Sequence, residues 1–238
     1  MFGPRNAHRL ELMFANLGTL ASPSRFLDAA VGLGDAAQRL IQRGHWVVGV
    51  DLSVDAALLA RARTRANLVI ADLKALPFRD GAFDGLTSGE TLEHIDDDLA
   101  AVREFSRVLK TDARAVVTVP ALESLRTFSD EYYEHLRRYS RPELTALFRK
   151  AGFNITRAHY WGFPFVILYD YAFMLPLNHR RARHPITEDR SLRAVSSAGR
   201  VAWLVSFVRG LFNLDRFLTW IPIGVGLVLV ATKRPGER

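Results

Sequence analysis

The chain has no cysteine among its 238 residues. That absence excludes a disulfide framework, a thiol nucleophile and any cysteine-ligated metal, and it removes the usual mark of an oxidised, secreted fold. A long clean hydrophobic run is also missing. The most apolar stretch, YWGFPFVILYDYAFMLPL (160–177), is broken by Gly162, Pro164, Asp170 and Pro176. It falls short of the roughly 20 apolar residues that a membrane-spanning helix needs. The opening residues MFGPRNAHRLELMF are too polar for the core of a signal peptide, so the sequence reads as cytoplasmic. Neither internal repeats nor a low-complexity linker divides the chain, and residues 1–238 read as a single domain.

What is present is an ordinary globular balance, 49% hydrophobic and 24% charged. The net charge of +7 is unevenly placed. Residues 1–120 carry 14 basic against 15 acidic side chains, and residues 121–238 carry 18 against 10. A basic half can attract an anionic ligand, a membrane surface or nucleic acid, and it also fits a plain solvated Arg-rich surface. No recognition helix or base-stacking motif accompanies the arginines, which argues against nucleic acid.

Short apolar runs alternate with helical patterns through the first half. RFLDAA (25–30), WVVGVD (46–51), NLVIAD (67–72), AFDGLTS (82–88) and ARAVVTVP (113–120) read as strands. Between them, DAAQRLIQRG (35–44), SVDAALLARARTRA (53–66, with Ser53 as N-cap) and DDLAAVREFSRVLK (97–110) read as helices. This alternation predicts right-handed crossovers and a mostly parallel sheet covered on both faces. Residues 121–140 read as a loop or lid. A helix over 141–153, a sixth strand over 153–161 and a last strand within 221–234 follow.

The turn after the first strand, LDAAVGLGDAA, carries Gly32, Gly34 and Ala37 in the spacing of a dinucleotide-binding fingerprint, with Asp51 about 20 residues on. Taken alone it fits an NAD-dependent oxidoreductase. Three features tilt it elsewhere. Asp28 precedes the glycines, where a carboxylate suits a positive ligand group and repels a pyrophosphate. Asp72, after the third strand, can accept from an adenine amino group. Ser88 and Gly89 follow the fourth strand. Together they outline an adenosine whose tail is an amino acid.

The motifs LDAAVGLG (27–34), VVGVDLS (47–53), ADLKALPFRDGAFD (71–84), LEHIDD (92–97), REFSRVLK (103–110) and RRYSRPELTALFRKAGF (137–153) resemble those of the class I S-adenosylmethionine-dependent methyltransferases of the small-molecule type. The resemblance covers roughly residues 20 to 160 and the final strand. It implies an α/β, Rossmann-like, doubly wound seven-stranded sheet, mostly parallel with the last strand antiparallel, and a helical insert between the sixth and seventh strands. It implies S-adenosyl-L-methionine as cofactor. Asp28, Gly32 and Gly34 would hold its methionine end, Asp51 its ribose, Leu52 its adenine ring, Asp72 the adenine amino group with Leu73 lending backbone contacts, and Ser88 and Gly89 the sulfonium side. The family has glycine where this chain has Ala30, a departure that bears on cofactor affinity.

Because a sulfonium is already a reactive methyl donor, aligning the acceptor can suffice for transfer. An acceptor that carries a proton also calls for a base. His94, Glu90 and His135 are the candidates, beside a tyrosine from Tyr132, Tyr133 or Tyr139. The same tyrosines can shape an acceptor pocket, and Arg137 or Arg138 can hold an anionic group on the acceptor. The plainer expectation for each is a buttressed loop or a core-facing ring. The insert over about 162–220, with its basic NHRRARH and the apolar helix 198–214, reads as a lid over an acceptor with a greasy portion, or as contact with a membrane surface. A non-catalytic, membrane-surface protein that keeps the cofactor fold is the remaining alternative, and the sequence is silent on oligomeric state.

Overall fold

The first, second and fourth strands run on into helices because the apolar period changes from two to 3.6 at a turn residue, whereas the third passes to the fourth through a loop over 71–82. In a computed structural model, which describes residues 3–18, 21–176 and 210–235, helix α1 (Pro4–Leu17) comes first. Then follow β1 (Arg25–Ala29), α2 (Asp35–Gln42), β2 (Trp46–Asp51), α3 (Val54–Arg63), β3 (Asn67–Ile70) and β4 (Phe83–Gly89). The chain continues through α4 (Asp98–Val108), β5 (Leu109–Pro120), α5 (Phe128–Tyr132), α6 (Arg141–Lys150), β6 (Phe153–Trp161), α7 (Phe165–Tyr169) and β7 (Gly226–Lys233).

Local chemistry sets several boundaries. The Ser53 hydroxyl accepts from the Ala56 amide at 3.2 Å and starts α3, and Asp97 caps α4 through the Ala100 amide at 3.0 Å. Ser140 and Glu143 form a reciprocal capping box at the start of α6.

The strands form one sheet in the order β3-β2-β1-β4-β5-β7-β6. Pairing is parallel from β3 to β5, and β7 runs antiparallel to both neighbours. The doubly wound seven-stranded sheet with an antiparallel last strand is thus as expected. Several strand ends shift by one or two residues, and two strand starts shift further. Leu109 already pairs with Phe83, so β5 begins earlier than 113, and β7 begins at Gly226 rather than 221.

Alternation along the strands divides the apolar side chains between two layers. Leu27, Ala29, Val117, Val119, Leu227 and Leu229 join Phe105, Leu144 and Phe148 on one face. Phe26, Val116, Val228 and Val230 join Met13, Phe14, Leu17 and Leu40 on the other. Helix α1 belongs to this second layer. In the sequence its residues stand out only as too polar for a signal-peptide core, yet Met13, Phe14 and Leu17 are buried against the sheet. Arg39 of α2 and Arg43 just after it cover the Phe14 ring at 5.1 and 4.6 Å from its centroid.

Of the insert, α7 and a wider helical turn over Asp170–Met174 are described, as is the helical stretch from residue 210. The basic NHRRARH and most of the expected 198–214 helix lie outside the described residues.

Candidate active site

The register of the parallel strands brings their carboxyl ends to one edge. Asp28 lies beside Thr87, Ala29 beside Ser88, and Asp51 beside Ile70. Asp28 is only 3% exposed. One of its oxygens accepts from the Thr87 hydroxyl at 2.9 Å, and the other has no hydrogen-bond partner among the described residues. Burial pushes this carboxyl up to about 7, against the Thr87 hydroxyl, which favours the ionised form.

The turn that follows is left-handed at three positions, with φ of 60° at Ala30, 50° at Gly32 and 81° at Gly34. Glycine is needed at 34 for a second reason, since a Cβ there would lie 2.7 Å from the Thr64 methyl. Ala30 adopts the same region without glycine's freedom, so the departure from the family pattern falls on a strained residue. The Asp51 carboxylate accepts from the Gly32 amide at 2.9 Å and the Ser53 amide at 3.0 Å, tying the turn to the start of α3. Leu52 is 72% exposed at the same edge. Asp72 accepts from the Lys74 amide at 2.8 Å with Leu73 buried beneath, and the Ser88 hydroxyl is buried without a partner among the described residues.

Beyond Gly89 the edge opens into a cavity of about 430 Å³. Its floor is Gly89 and Glu90, and Glu90 is itself left-handed at φ 55°. Helix α1 supplies Arg5 and Arg9, the 127–138 segment supplies Tyr133, His135 and Arg138, and the end of α7 supplies Tyr169 with Asp170 just beyond. Arg5 pairs with Asp170 at 3.3 Å and Glu90 at 3.8 Å, and Arg9 pairs with Glu90 at 3.7 Å.

Asp130, 1% exposed, is the hub of the 127–138 wall. It accepts from His135 Nδ1 at 2.9 Å, from Arg138 Nε at 2.7 Å and Nη2 at 3.0 Å, and from the Thr127 amide at 2.7 Å. Burial alone would raise its pKa, but the His135 and Arg138 hydrogen bonds outweigh it and hold the carboxyl below the usual range. The His94 and His135 rings meet edge to face with centroids 4.9 Å apart. Burial, then the neighbouring His135, lowers His94. Glu93 beside it is fully buried, and burial followed by the like charge of Glu90 raises it well above a normal glutamate.

The structure therefore gathers Asp28, Ala30, Gly32, Gly34, Asp51, Leu52, Asp72, Leu73, Ser88 and Gly89 along one edge, and Glu90, His94, His135, Tyr133 and Arg138 around the adjoining cavity. It does not bring the rest there. Tyr132 is 45% exposed and off the cavity wall. Arg137 points away, donating to Asp98 at 3.0 Å and to the Asp96 carbonyl at 2.9 Å. The Tyr139 ring is buried and its hydroxyl donates to Asp98 at 2.8 Å, so it braces the core. Arg138 faces the cavity but its guanidinium is committed to Asp130.

Among the cavity residues to which the sequence alone gives no site role are Arg5, Arg9, Asp130, Tyr169 and Asp170. Leu10, Met13, Phe14 and Leu17 at spacings of three and four mark α1 as an amphipathic helix, and that signal could have placed the two arginines.

Comparisons with known proteins fit this geometry. Residues 27–117 match the family model described as a methyltransferase domain. A demethylmenaquinone methyltransferase of Mycolicibacterium gilvum is 34% identical over 119 residues, 50% of this chain and 52% of that protein. The chain thus spans about half the length of the curated relatives it matches. Among solved structures, Haemonchus contortus phosphoethanolamine N-methyltransferase 2, in complex with S-adenosyl-L-methionine, aligns with a TM-score of 0.64 at 19% identity, over 95% of this chain and 52% of that one. The cyclase SpnF aligns with a TM-score of 0.66 at 23% identity, over 98% and 83%. At such identities the likeness shows the fold alone. The family match spans the strand ends that build the edge, from Leu27 to Val117, within a seven-stranded sheet of this order. Residues 27–117 thus carry a methyltransferase-domain match, set in a seven-stranded fold shared with a solved methyltransferase that holds S-adenosyl-L-methionine.

Proposed function

We propose that the chain binds S-adenosylmethionine along the carboxyl edge of β3, β2, β1 and β4, and transfers its methyl group to a small acceptor with an apolar portion held in the adjoining cavity. The observation that carries this reading is Asp28, a buried carboxylate with one oxygen unpaired at the mouth of the glycine turn. It favours a ligand with a positive group and disfavours the paired phosphates of a dinucleotide. In this reading Asp28 and the turn from Ala30 to Gly34 hold the methionine end, and Asp51 the ribose. Leu52 takes the adenine ring, Asp72 its amino group with Leu73 lending backbone contacts, and Ser88 and Gly89 the sulfonium side.

The acceptor sits against Tyr133, Tyr169 and Leu125, which offer aromatic and apolar surface near Glu90. The arginines of the cavity, Arg5, Arg9 and Arg138, each face a carboxylate, an arrangement that suits a neutral acceptor better than an anionic one. The relative named demethylmenaquinone methyltransferase supports a quinone-like ring with a greasy tail. Alignment of the acceptor supplies most of the acceleration. His94, whose proton affinity is lowered, is neutral near pH 7 and can take a proton from the acceptor, with His135 and Glu90 close by.

The test is methyl transfer from labelled S-adenosylmethionine to a panel of phenols and quinols with and without isoprenoid tails, and to hydrophilic amines and acids. Turnover confined to the lipophilic aromatic members supports the proposal. Turnover confined to the hydrophilic members overturns the acceptor class.

A further inference from the structure

Among the described residues, Glu93 is a charged side chain left unexplained by any hydrogen bond. It is 0% exposed, and neither carboxylate oxygen has a hydrogen-bond partner among the described residues. The nearby arginines do not pair with it, since Arg5 and Arg9 make their ion pairs with Glu90. Burying a carboxylate in this way is costly unless something compensates it. Its neighbours are two imidazoles. His94 Nε2 lies 3.9 Å from Glu93 Oε1, and one donor atom each from Glu93, His94 and His135 all fall within 4.8 Å of one another.

We propose that Glu93, His94 and His135 form a binding site for a divalent transition-metal ion. Two nitrogens and one carboxylate are a donor set suited to zinc, cobalt or iron, and three protein ligands leave a fourth position open. Bonds of about 2.0–2.2 Å to such an ion place the donors roughly 3.4 Å apart, a closure within reach of small side-chain rotations.

The surroundings are those of a metal-binding histidine. The Nδ1 atom of His135 is hydrogen-bonded to Asp130 Oδ1 at 2.9 Å, which fixes the ring and leaves Nε2 as the ligand. The loops that carry the ligands are joined by the Leu136 amide, which donates to the Glu93 carbonyl at 2.8 Å. Backbone strain gathers here as well, with Glu90 at φ 55° and Glu134 at φ 58° on either side. His94 and His135 both line the cavity, so the open position faces it. With an ion bound, His94 is a ligand rather than the proton acceptor, and the ion would instead polarise an oxygen of a bound acceptor and ease loss of its proton. That consequence rests on the proposed methyl transfer, whereas ion binding does not.

The experiment titrates cobalt(II) into the chelator-treated full chain without cofactor or acceptor, following visible absorption, with zinc(II) calorimetry in parallel. The expected result is one saturable ion with a Kd on the order of 1 µM or tighter. Glu93→Gln, which keeps the buried shape, and His94→Ala, at a half-exposed position, should each weaken binding at least tenfold while the melting profile shows a folded protein. If Glu93→Gln does not fold, His94→Ala decides alone. Absence of saturable binding, or affinity unchanged in either folded variant, overturns the site.

Discussion

At the scale of single residues, Asp28 and Ala30 hold opposite kinds of unfavourable energy at one turn. Asp28 is a carboxyl kept near 7 by burial, against 3.8 in an unfolded chain. The folded protein therefore holds a proton that the unfolded chain releases. The stability from this group is fully present below the unfolded value, and it is lost as pH rises through about 7. Asp28→Asn should thus raise the melting temperature at pH 8, by on the order of 2 kcal/mol in stability, while abolishing binding of S-adenosylmethionine. In the wild type, binding a cationic ligand should release a proton near pH 7, seen as a calorimetric enthalpy that depends on the buffer. A binding enthalpy independent of buffer would contradict the role given to this carboxylate. Ala30 at φ 60° carries the strain of a non-glycine left-handed residue. Ala30→Gly should stabilise the protein by about 1 kcal/mol and leave cofactor binding equal or tighter, read by thermal melting and calorimetry.

At the scale of elements, the site is a parallel-sheet edge roofed by two segments of different legibility. Strands, their helices and the glycine turn were readable because their signals are local, as at Ser53, whose hydroxyl caps α3 where the sequence placed it. The 127–138 wall was not, because residue type alone does not tell which way a side chain faces. Arg137, Arg138 and Tyr139 are consecutive, yet one pairs with Asp98, the next with Asp130, and the third is buried in the core. The arginines of helix α1 were missed for another reason. The apolar spacing of the helix was legible, but its arginines meet Glu90 and Asp170 across more than 80 residues of chain, and that spacing does not name such partners. Two predictions belong here. Replacing Arg5 and Arg9 together by alanine should lower kcat/KM by roughly 10–100-fold through misplacement of the acceptor, with cofactor affinity unchanged in calorimetry. Asp130→Asn should destabilise the fold by about 3 kcal/mol in denaturant unfolding, because it leaves the buried Arg138 without its carboxylate.

At the scale of the whole molecule, the sheet order β3-β2-β1-β4 sets the four acidic and glycine-bearing loops side by side, and the cavity begins where that edge ends at Gly89. Among the described residues no helix is long and apolar enough to cross a membrane. Everything proposed for the chemistry depends on the edge accepting a sulfonium nucleoside. The most direct measurement is isothermal calorimetry of the purified full chain with S-adenosylmethionine, S-adenosylhomocysteine and NAD under one set of conditions. The expected result is one molar equivalent of S-adenosylmethionine or its demethylated product bound per chain, and no detectable heat from NAD. Saturable binding of NAD with none of S-adenosylmethionine would contradict it.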